Sequence, residues 1–228
     1  MKKLSIIIPV YNERDTIRSV IDAVLGVRLS LEKEVIVVDD GSSDGTADVL
    51  RSLERENVKV VFQTPNQGKG AAIRRGLPEA TGDIVIIQDA DMEYDPNDYQ
   101  SLIDPIIAGE AKVVYGSRQL GNNTFSYRRF YLGGLVLSWL TNLLYGSKIT
   151  DEPTCYKVFR KDVLDSIELK CKRFEFCPEV TAKVLKKGIK ITERPISYRP
   201  RSIEQGKKIR WRDGVEAIFT LFRYRFHD

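Results

Sequence analysis

Asp83-Ile84-Val85-Ile86-Ile87-Gln88 runs directly into Asp89-Ala90-Asp91-Met92-Glu93. Four consecutive β-branched apolar residues read as a strand buried on both faces, and the carboxylates that follow read as a polar loop at its carboxyl end. Working outward, the same signature recurs. Leu4–Val10, Glu34–Asp40, Val58–Phe62 and Lys112–Tyr115 read as strands. Between them, helices are expected over Asp15–Leu25, where Ile17, Val20, Ile21 and Val24 share a face, and over Asp44–Glu56, Gly68–Ala80 and Asn97–Ala108. Alternating strands and helices imply an α/β fold with a mostly parallel central sheet flanked by helices. Ligands of such sheets bind beyond the carboxyl ends of the strands, so the chemistry is expected just after Val10, Val38, Phe62, Gln88 and Tyr115.

The chain has 228 residues and is 42% hydrophobic. It shows no repeat, low-complexity tract or clean linker, so residues 1–228 read as one domain in two parts. The halves differ in charge. Residues 1–110 hold 12 Lys and Arg against 20 Asp and Glu, a net of −8, whereas residues 111–228 hold 24 against 12, a net of +12. An acidic half suits a cation, and a basic half suits phosphate or an anionic surface. Cys155, Cys171 and Cys177 are odd in number and fit no zinc or redox spacing, which points to a reducing compartment. His227 is the only histidine, one residue from the end, so Ser-His, Cys-His and His-metal chemistry are excluded. The N-terminus lacks the apolar core of a signal peptide. The longest apolar stretch, Tyr131 to Tyr145, is interrupted by Gly133, Gly134, Ser138, Thr141 and Asn142, short of the ~20 apolar residues a membrane span needs.

The loops at the strand ends carry the candidate chemistry. Neither G-x-G-x-x-G nor the phosphate-cradling G-x-x-x-x-G-K-[ST] is present. Asp39 and Asp40 stand where a carboxylate can grip a ribose hydroxyl or a base, and Asp44 suits a helix cap. Asn66-Gln67-Gly68-Lys69-Gly70 opens a helix whose N-terminus suits an anion, with Lys69 as a phosphate partner. In extended chain, Asp89, Asp91 and Glu93 share a face. Three carboxylates together call for a hard cation such as Mg²⁺ or Mn²⁺.

These loops together resemble family 2 glycosyltransferases of the GT-A (Rossmann-like) fold. Four motifs carry the likeness: Pro9-Val10-Tyr11-Asn12-Glu13, Asp39-Asp40-Gly41-Ser42, Asn66-Gln67-Gly68-Lys69-Gly70 and Asp89-Ala90-Asp91. The second half resembles the branch that makes dolichyl- or polyprenyl-phosphate mannose and glucose. The residues there are Tyr115-Gly116-Ser117-Arg118, Asp151-Glu152-Pro153-Thr154-Cys155-Tyr156-Lys157, Phe174-Glu175-Phe176-Cys177-Pro178-Glu179 and the basic run Arg199–Arg212, with six basic residues in fourteen.

The resemblance implies inverting transfer of a hexose from a nucleotide sugar, GDP-mannose or UDP-glucose, to a polyprenyl phosphate. Residues 1–117 would form the nucleotide-sugar half and residues 118–228 the acceptor-binding, membrane-facing half. The implied nucleotide-sugar residues are Pro9, Tyr11, Glu13, Asp39, Asp40, Lys69, Asp89, Ala90, Asp91 and Arg201. The metal ligands would be Asp89, Asp91 and Glu93. Ser117, Arg118, Arg128 and Arg129 would grip the acceptor phosphate, since guanidinium binds it bidentately. Asp91, Arg118 and Glu179 are the catalytic candidates; Glu179 matches a position that serves as base in sugar-acceptor relatives, and positioning is its expected role here. A polysaccharide or glycan acceptor is the alternative. The acidic first half argues against a nucleic-acid partner.

Val215, Ile218, Phe219, Phe222 and Phe226 follow helical spacing beside Arg223 and Arg225. With the apolar stretch Phe130–Tyr145 they fit interfacial helices on an anionic membrane, while the same periodicity also fits core packing. A peripheral enzyme at the cytoplasmic face is the expectation.

Overall fold

The structure, a computed structural model, describes residues 1–124, 127–201, 208 and 211–227. Its first part follows the strand–helix alternation: β1 (Lys3–Val10), α1 (Ile17–Gly26), β2 (Glu32–Asp40), α2 (Thr46–Arg51), β3 (Val58–Gln63), α3 (Lys69–Gly76), β4 (Ile84–Ile87), α4 (Tyr99–Ile107) and β5 (Val113–Ser117). The apolar runs make β1, β2 and β4 the buried centre of the sheet, with Leu4, Ile6, Ile7, Ile8, Val35, Val37, Val38, Ile84 and Ile86 inaccessible to solvent. Two helices stop earlier than expected. α2 ends at Arg51, and α3 gives way at Gly76 to a single tighter turn, Leu77–Glu79, around Pro78.

The second part contributes α5 (Arg128–Tyr145), β6 (Lys157–Arg160), α6 (Lys161–Asp165), α7 (Phe176–Lys186), β7 (Ile191–Pro195) and α8 (Trp211–Phe226). The sheet has seven strands in the order β3-β2-β1-β4-β6-β5-β7. β6 is antiparallel to both β4 and β5, and β7 lies parallel to β5. Neither β6 nor β7 was expected from the sequence. Four residues flanked by Lys157 and Arg160 carry little strand signal, yet Lys157 is fully buried. Its ammonium donates to the Glu152 carbonyl (2.5 Å) and lies 3.7 Å from the centre of the Tyr115 ring. A buried lysine is tolerated when so partnered. β7 is a half-exposed edge strand ending in proline, where a missing N–H costs nothing.

α5 and α8 pack against one another through a small separate core of Leu137, Leu140, Ala217 and Leu221, flanked by Leu144, Tyr145 and Ile218. The Tyr145 hydroxyl donates to the Leu221 carbonyl at 2.7 Å. Their other faces are apolar and open to solvent: Leu132, Val136, Trp139 and Leu143 on α5, and Trp211, Val215, Phe219, Phe222 and Phe226 on α8. Of the expected α8 stripe, Ile218 joins the core and the rest faces outward. Among the described residues no helix is long and apolar enough to cross a membrane.

Candidate active site

The carboxyl ends of β1, β2 and β4 meet, as the parallel register requires: Ile7 pairs with both Ile36 and Ile87. Asn12, in the left-handed conformation (φ 50), locks the first two loops together. Its N–H donates to Ser42 Oγ (2.9 Å), and its side-chain carbonyl accepts from Ser43 N–H (2.8 Å). Pro9 is buried in β1, while the ring of Tyr11 is exposed at the mouth of the site.

Asp39 and Asp40 have different fates. Asp39 is buried, its Oδ2 takes only a long bond from Ser42 N–H (3.4 Å), and Oδ1 has no partner. A buried carboxylate oxygen without a donor is costly unless a ligand supplies one, so Asp39 suits a base N–H or a ribose hydroxyl. Asp40 receives Gln63 Nε2 (2.5 Å), Asn66 Nδ2 (2.8 Å), Gln67 N–H (2.8 Å) and Gly68 N–H (2.7 Å). These donors occupy the carboxylate and make it the organiser of the loop before α3, which differs from the expected nucleotide contact. Nor is the start of α3 open to an anion. Arg173 and Lys172 carbonyls accept from Gly70 N–H (3.0 Å) and Ala71 N–H (2.9 Å), so these backbone donors are already paired.

At the end of β4, Lys69 Nζ lies 2.5 Å from Asp89 Oδ1, and Arg201 Nη2 lies 3.0 Å from Asp91 Oδ2. Ala90 is buried, and its carbonyl accepts from Thr16 Oγ1. Arg201 also grips both oxygens of Glu13 (3.1 Å each), and Lys208 Nζ adds a third cationic contact to Glu13 at 2.6 Å. The extended geometry that would align three carboxylates stops at Met92, where φ is 60°. Glu93 N–H turns back to Asp91 Oδ1 (3.1 Å), while the Glu93 carboxylate accepts from Tyr198 Oη (2.9 Å) and Arg201 N–H (2.6 Å). Glu93 thus ties the Tyr198–Arg201 segment to the site, which corrects its placement on one face with the aspartates. Among the described residues no three acidic, cysteine or histidine side chains converge to hold an ion by themselves.

Electrostatics separate the two aspartates. Burial works against the charge on Asp89, but Lys69 more than offsets it and holds the carboxyl below its ordinary range. Asp91 is pushed up to about 7 by burial and then by repulsion from Asp89 and Glu93, which Arg201 only partly relieves. Burial opposes the ammonium of Lys69, yet Asp89 raises it above the usual lysine range. Two adjacent hard-oxygen donors in an incompletely neutralised field fit a Mg²⁺ or Mn²⁺ ion that completes its shell with substrate phosphates.

The acceptor-side candidates lie differently. Arg118 donates from Nε (2.8 Å) and Nη2 (2.7 Å) to Asp151, which is 1% exposed, and its guanidinium stacks 5.1 Å from the Tyr198 ring. Ser117 is fully buried, bonded to Thr150 Oγ1 at 2.6 Å. Arg128 and Arg129 are exposed on the first turn of α5, Arg129 over Tyr127 and Phe130. Glu179 has no exposed surface and accepts from Lys170 N–H (2.7 Å), Cys171 N–H (2.6 Å), Lys183 Nζ (2.5 Å) and Tyr224 Oη (2.8 Å). Burial opposes its charge, but these partners, Lys183 foremost, hold it below the ordinary carboxylate range. Such a group is a poor proton acceptor and a strong structural tie. Asp151, Tyr198 and Lys208 were given no role from the sequence, because each meets its partner across 33 to 195 residues. Within the basic run Arg199–Arg212, residues 202–207 and 209–210 lie outside the described residues, as does Phe125.

Residues 5–168, more than half of the chain, match the model of glycosyl transferase family 2. The chain is 32% identical over 231 residues to a UDP-N-acetylglucosamine–dolichyl-phosphate N-acetylglucosaminyltransferase of Methanococcus voltae, covering 91% of each. It is 30% identical over 210 residues to a dolichol-phosphate mannosyltransferase of Pyrococcus furiosus, covering 90% of this chain and 59% of that protein. It thus spans well under two thirds of the Pyrococcus enzyme's length. The fold is also that of glucosyl-3-phosphoglycerate synthase from Mycobacterium tuberculosis, crystallised with Mn²⁺, UDP and phosphoglyceric acid. The TM-score is 0.77 at 23% identity, over 100% of this chain and 80% of that one. The strand-end loops and these matches agree: the chain is a glycosyltransferase and belongs to glycosyltransferase family 2.

Proposed function

We propose that the chain transfers a hexose, mannose or glucose, with inversion from a nucleotide sugar (GDP-mannose or UDP-glucose) to a polyprenyl or dolichyl phosphate, using Mg²⁺ or Mn²⁺. The observation that carries this reading is the pair of aspartates at the end of β4, each facing a protein cation, beside the partnerless oxygen of buried Asp39. Asp39 and the exposed ring of Tyr11 take the nucleoside. Asp89 and Asp91 hold the ion, which when bound offsets charge on the departing diphosphate. Lys69 lies beside Asp89, within reach of the same phosphates, and Arg201 stands by the diphosphate from the side of Glu13.

A phosphate monoester acceptor suits the remaining residues. Its second pKa is near ~6, so at neutral pH it is largely a dianion that needs no proton removed. The firmly held carboxylate of Glu179 is consistent with a reaction that runs without a base. Arg128 and Arg129 face the acceptor phosphate in this reading, Arg118 being committed to Asp151, and catalysis consists of positioning and charge stabilisation. The apolar outer faces of α5 and α8, with exposed Arg128, Arg129, Arg212, Arg223 and Arg225 around them, support docking on the anionic cytoplasmic face of a membrane. The relatives named for dolichyl phosphate support the same acceptor. The test is transfer of labelled sugar from GDP-mannose and UDP-glucose, with Mn²⁺, to polyprenyl phosphate and to oligosaccharides in parallel. Transfer to oligosaccharide alone would overturn the lipid acceptor.

A further inference from the structure

Residues 170–173 run between the start of α3 and the helices α7 and α8. On one side, the carbonyls of Lys172 and Arg173 receive the N–H groups of Ala71 and Gly70. The approach is very close. A Cβ on Gly68 would lie 2.5 Å from the Lys172 carbonyl oxygen, and one on Gly70 would lie 2.9 Å from that of Arg173. Glycine alone fits at these two positions. On the other side, carboxylates from the α7 region hold the same segment by its N–H groups. Glu179 takes Lys170 and Cys171, while Glu175 takes Lys172 (2.6 Å) and Arg173 (2.9 Å). Glu179 also receives Tyr224 from α8, so one buried carboxylate joins α7, α8 and the segment that caps α3. The first residue of α3 is Lys69, whose ammonium rests on Asp89.

We propose that Glu179 is a positioning residue for the donor site: through residues 170–173 it fixes the start of α3 and hence the reach of Lys69 to Asp89. The inference rests on the reading of Asp89 as a carboxylate of the metal–diphosphate site. It gives Tyr224 a part as well, since α8, the helix bearing the outer apolar face, reaches this segment through Tyr224 on Glu179, besides the Asp213 carboxylate beside Arg173.

The test uses calorimetry on the full chain with Glu179→Gln, Tyr224→Phe and Lys69→Met. The probes are UDP and GDP, each with Mn²⁺, and UMP and GMP without metal. Glu179→Gln weakens the Mn²⁺–diphosphate by about tenfold, the usual cost of removing a supporting hydrogen-bond partner from a metal site. Tyr224→Phe acts in the same direction by less, and the monophosphate is bound as before. Glu179→Gln adds nothing further in the Lys69→Met background, because residues that act through one another are non-additive. Equal losses for mono- and diphosphate, additive losses in the double variant, or unchanged binding overturn the proposal. Where Glu179→Gln fails to fold, Tyr224→Phe decides by the same criteria. A wild-type chain that binds neither diphosphate with Mn²⁺ overturns the donor-site reading and this proposal with it. Wild-type binding beside unaffected variants overturns this proposal alone.

Discussion

Residues 1–117, proposed as the donor half, and residues 118–228, proposed as the acceptor half, both contain aspartates and glutamates paired with cations, but the pairs are built for different ends. Asp89 and Asp91 are 20% and 16% exposed, so water or a ligand can reach them and exchange for Lys69 or Arg201. Asp151 and Glu179 are 1% and 0% exposed, closed in by Arg118 and by Lys183 with Tyr224. Reachable pairs can give up a partner to bind substrate. Sealed pairs cannot, because separating buried charges leaves one of them uncompensated.

The comparison is sharpest in substitutions that remove one charge of a pair. Asp89→Asn in the donor half is expected to cut transfer by about 10³-fold if, as proposed, this carboxylate holds the ion that offsets charge on the leaving diphosphate. Urea unfolding should shift little by comparison. A variant with full transfer activity would show that the carboxylates at the end of β4 hold no metal. In the acceptor half the order reverses. Arg118→Ala strands the buried Asp151 carboxylate and is expected to cost about 3–5 kcal/mol of stability. Lost transfer with an unchanged unfolding midpoint would break the distinction and make Arg118 a group that faces ligand.

The same distinction explains what could be read from the sequence. β1, β2 and β4 declare themselves because burial on both faces demands unbroken apolar runs, and Asp39, Asp89 and Asp91 are legible because they interrupt such runs at the strand ends. Asp40 looks equivalent to Asp39, yet the next residue of a strand points to the opposite face, and there it meets Gln67 and Gly68 instead of the site. Glu93 misleads for a related reason: the alternation that would place it beside Asp91 requires extended chain, and Met92 turns the backbone left-handed. The sealed pairs carry no local sign at all. Asp151 and Arg118 are 33 residues apart, and Glu179 meets Tyr224 across 45, so only the folded sheet reveals them. β6 is hidden by Lys157, whose burial depends on the Glu152 carbonyl and the Tyr115 ring.

The outer faces of α5 and α8 separate surface chemistry from both kinds of pair. Trp139→Ala or Phe219→Ala removes an exposed apolar side chain, and each is expected to weaken sedimentation with phosphatidylserine vesicles by about tenfold, from ~1.5 kcal/mol or more of lost apolar burial. Stability should move by no more than about 0.5 kcal/mol, since neither residue packs in the small core. Unchanged vesicle binding in both variants would remove this face from the membrane account.

Asp91 gives the most delicate measure of a reachable carboxylate, because pH moves it in two opposed ways. Its carboxyl titrates at about 7, held there by burial and by the charges of Asp89 and Glu93, whereas an unfolded aspartate titrates near ~3.9. Between these values the folded chain carries a proton that the unfolded chain lacks. The contribution of this group to stability is therefore full below the unfolded value and is lost as pH rises through 7. A divalent ion requires the ionised carboxylate, so its affinity should rise about tenfold per pH unit below 7 and level off above it. Mn²⁺ titrations monitored by thermal unfolding at pH 5.5 to 8.5 should show the ligand-free melting temperature falling across the range in which the Mn²⁺-induced increase grows. Asp91→Asn should flatten the first trend, because the carboxyl whose titration sets it is gone. If the wild-type Mn²⁺ increase is the same at pH 5.5 and 8.5, Asp91 is not a ligand of the ion, and Lys69–Asp89 alone distinguishes the donor half from the sealed pairs of the other.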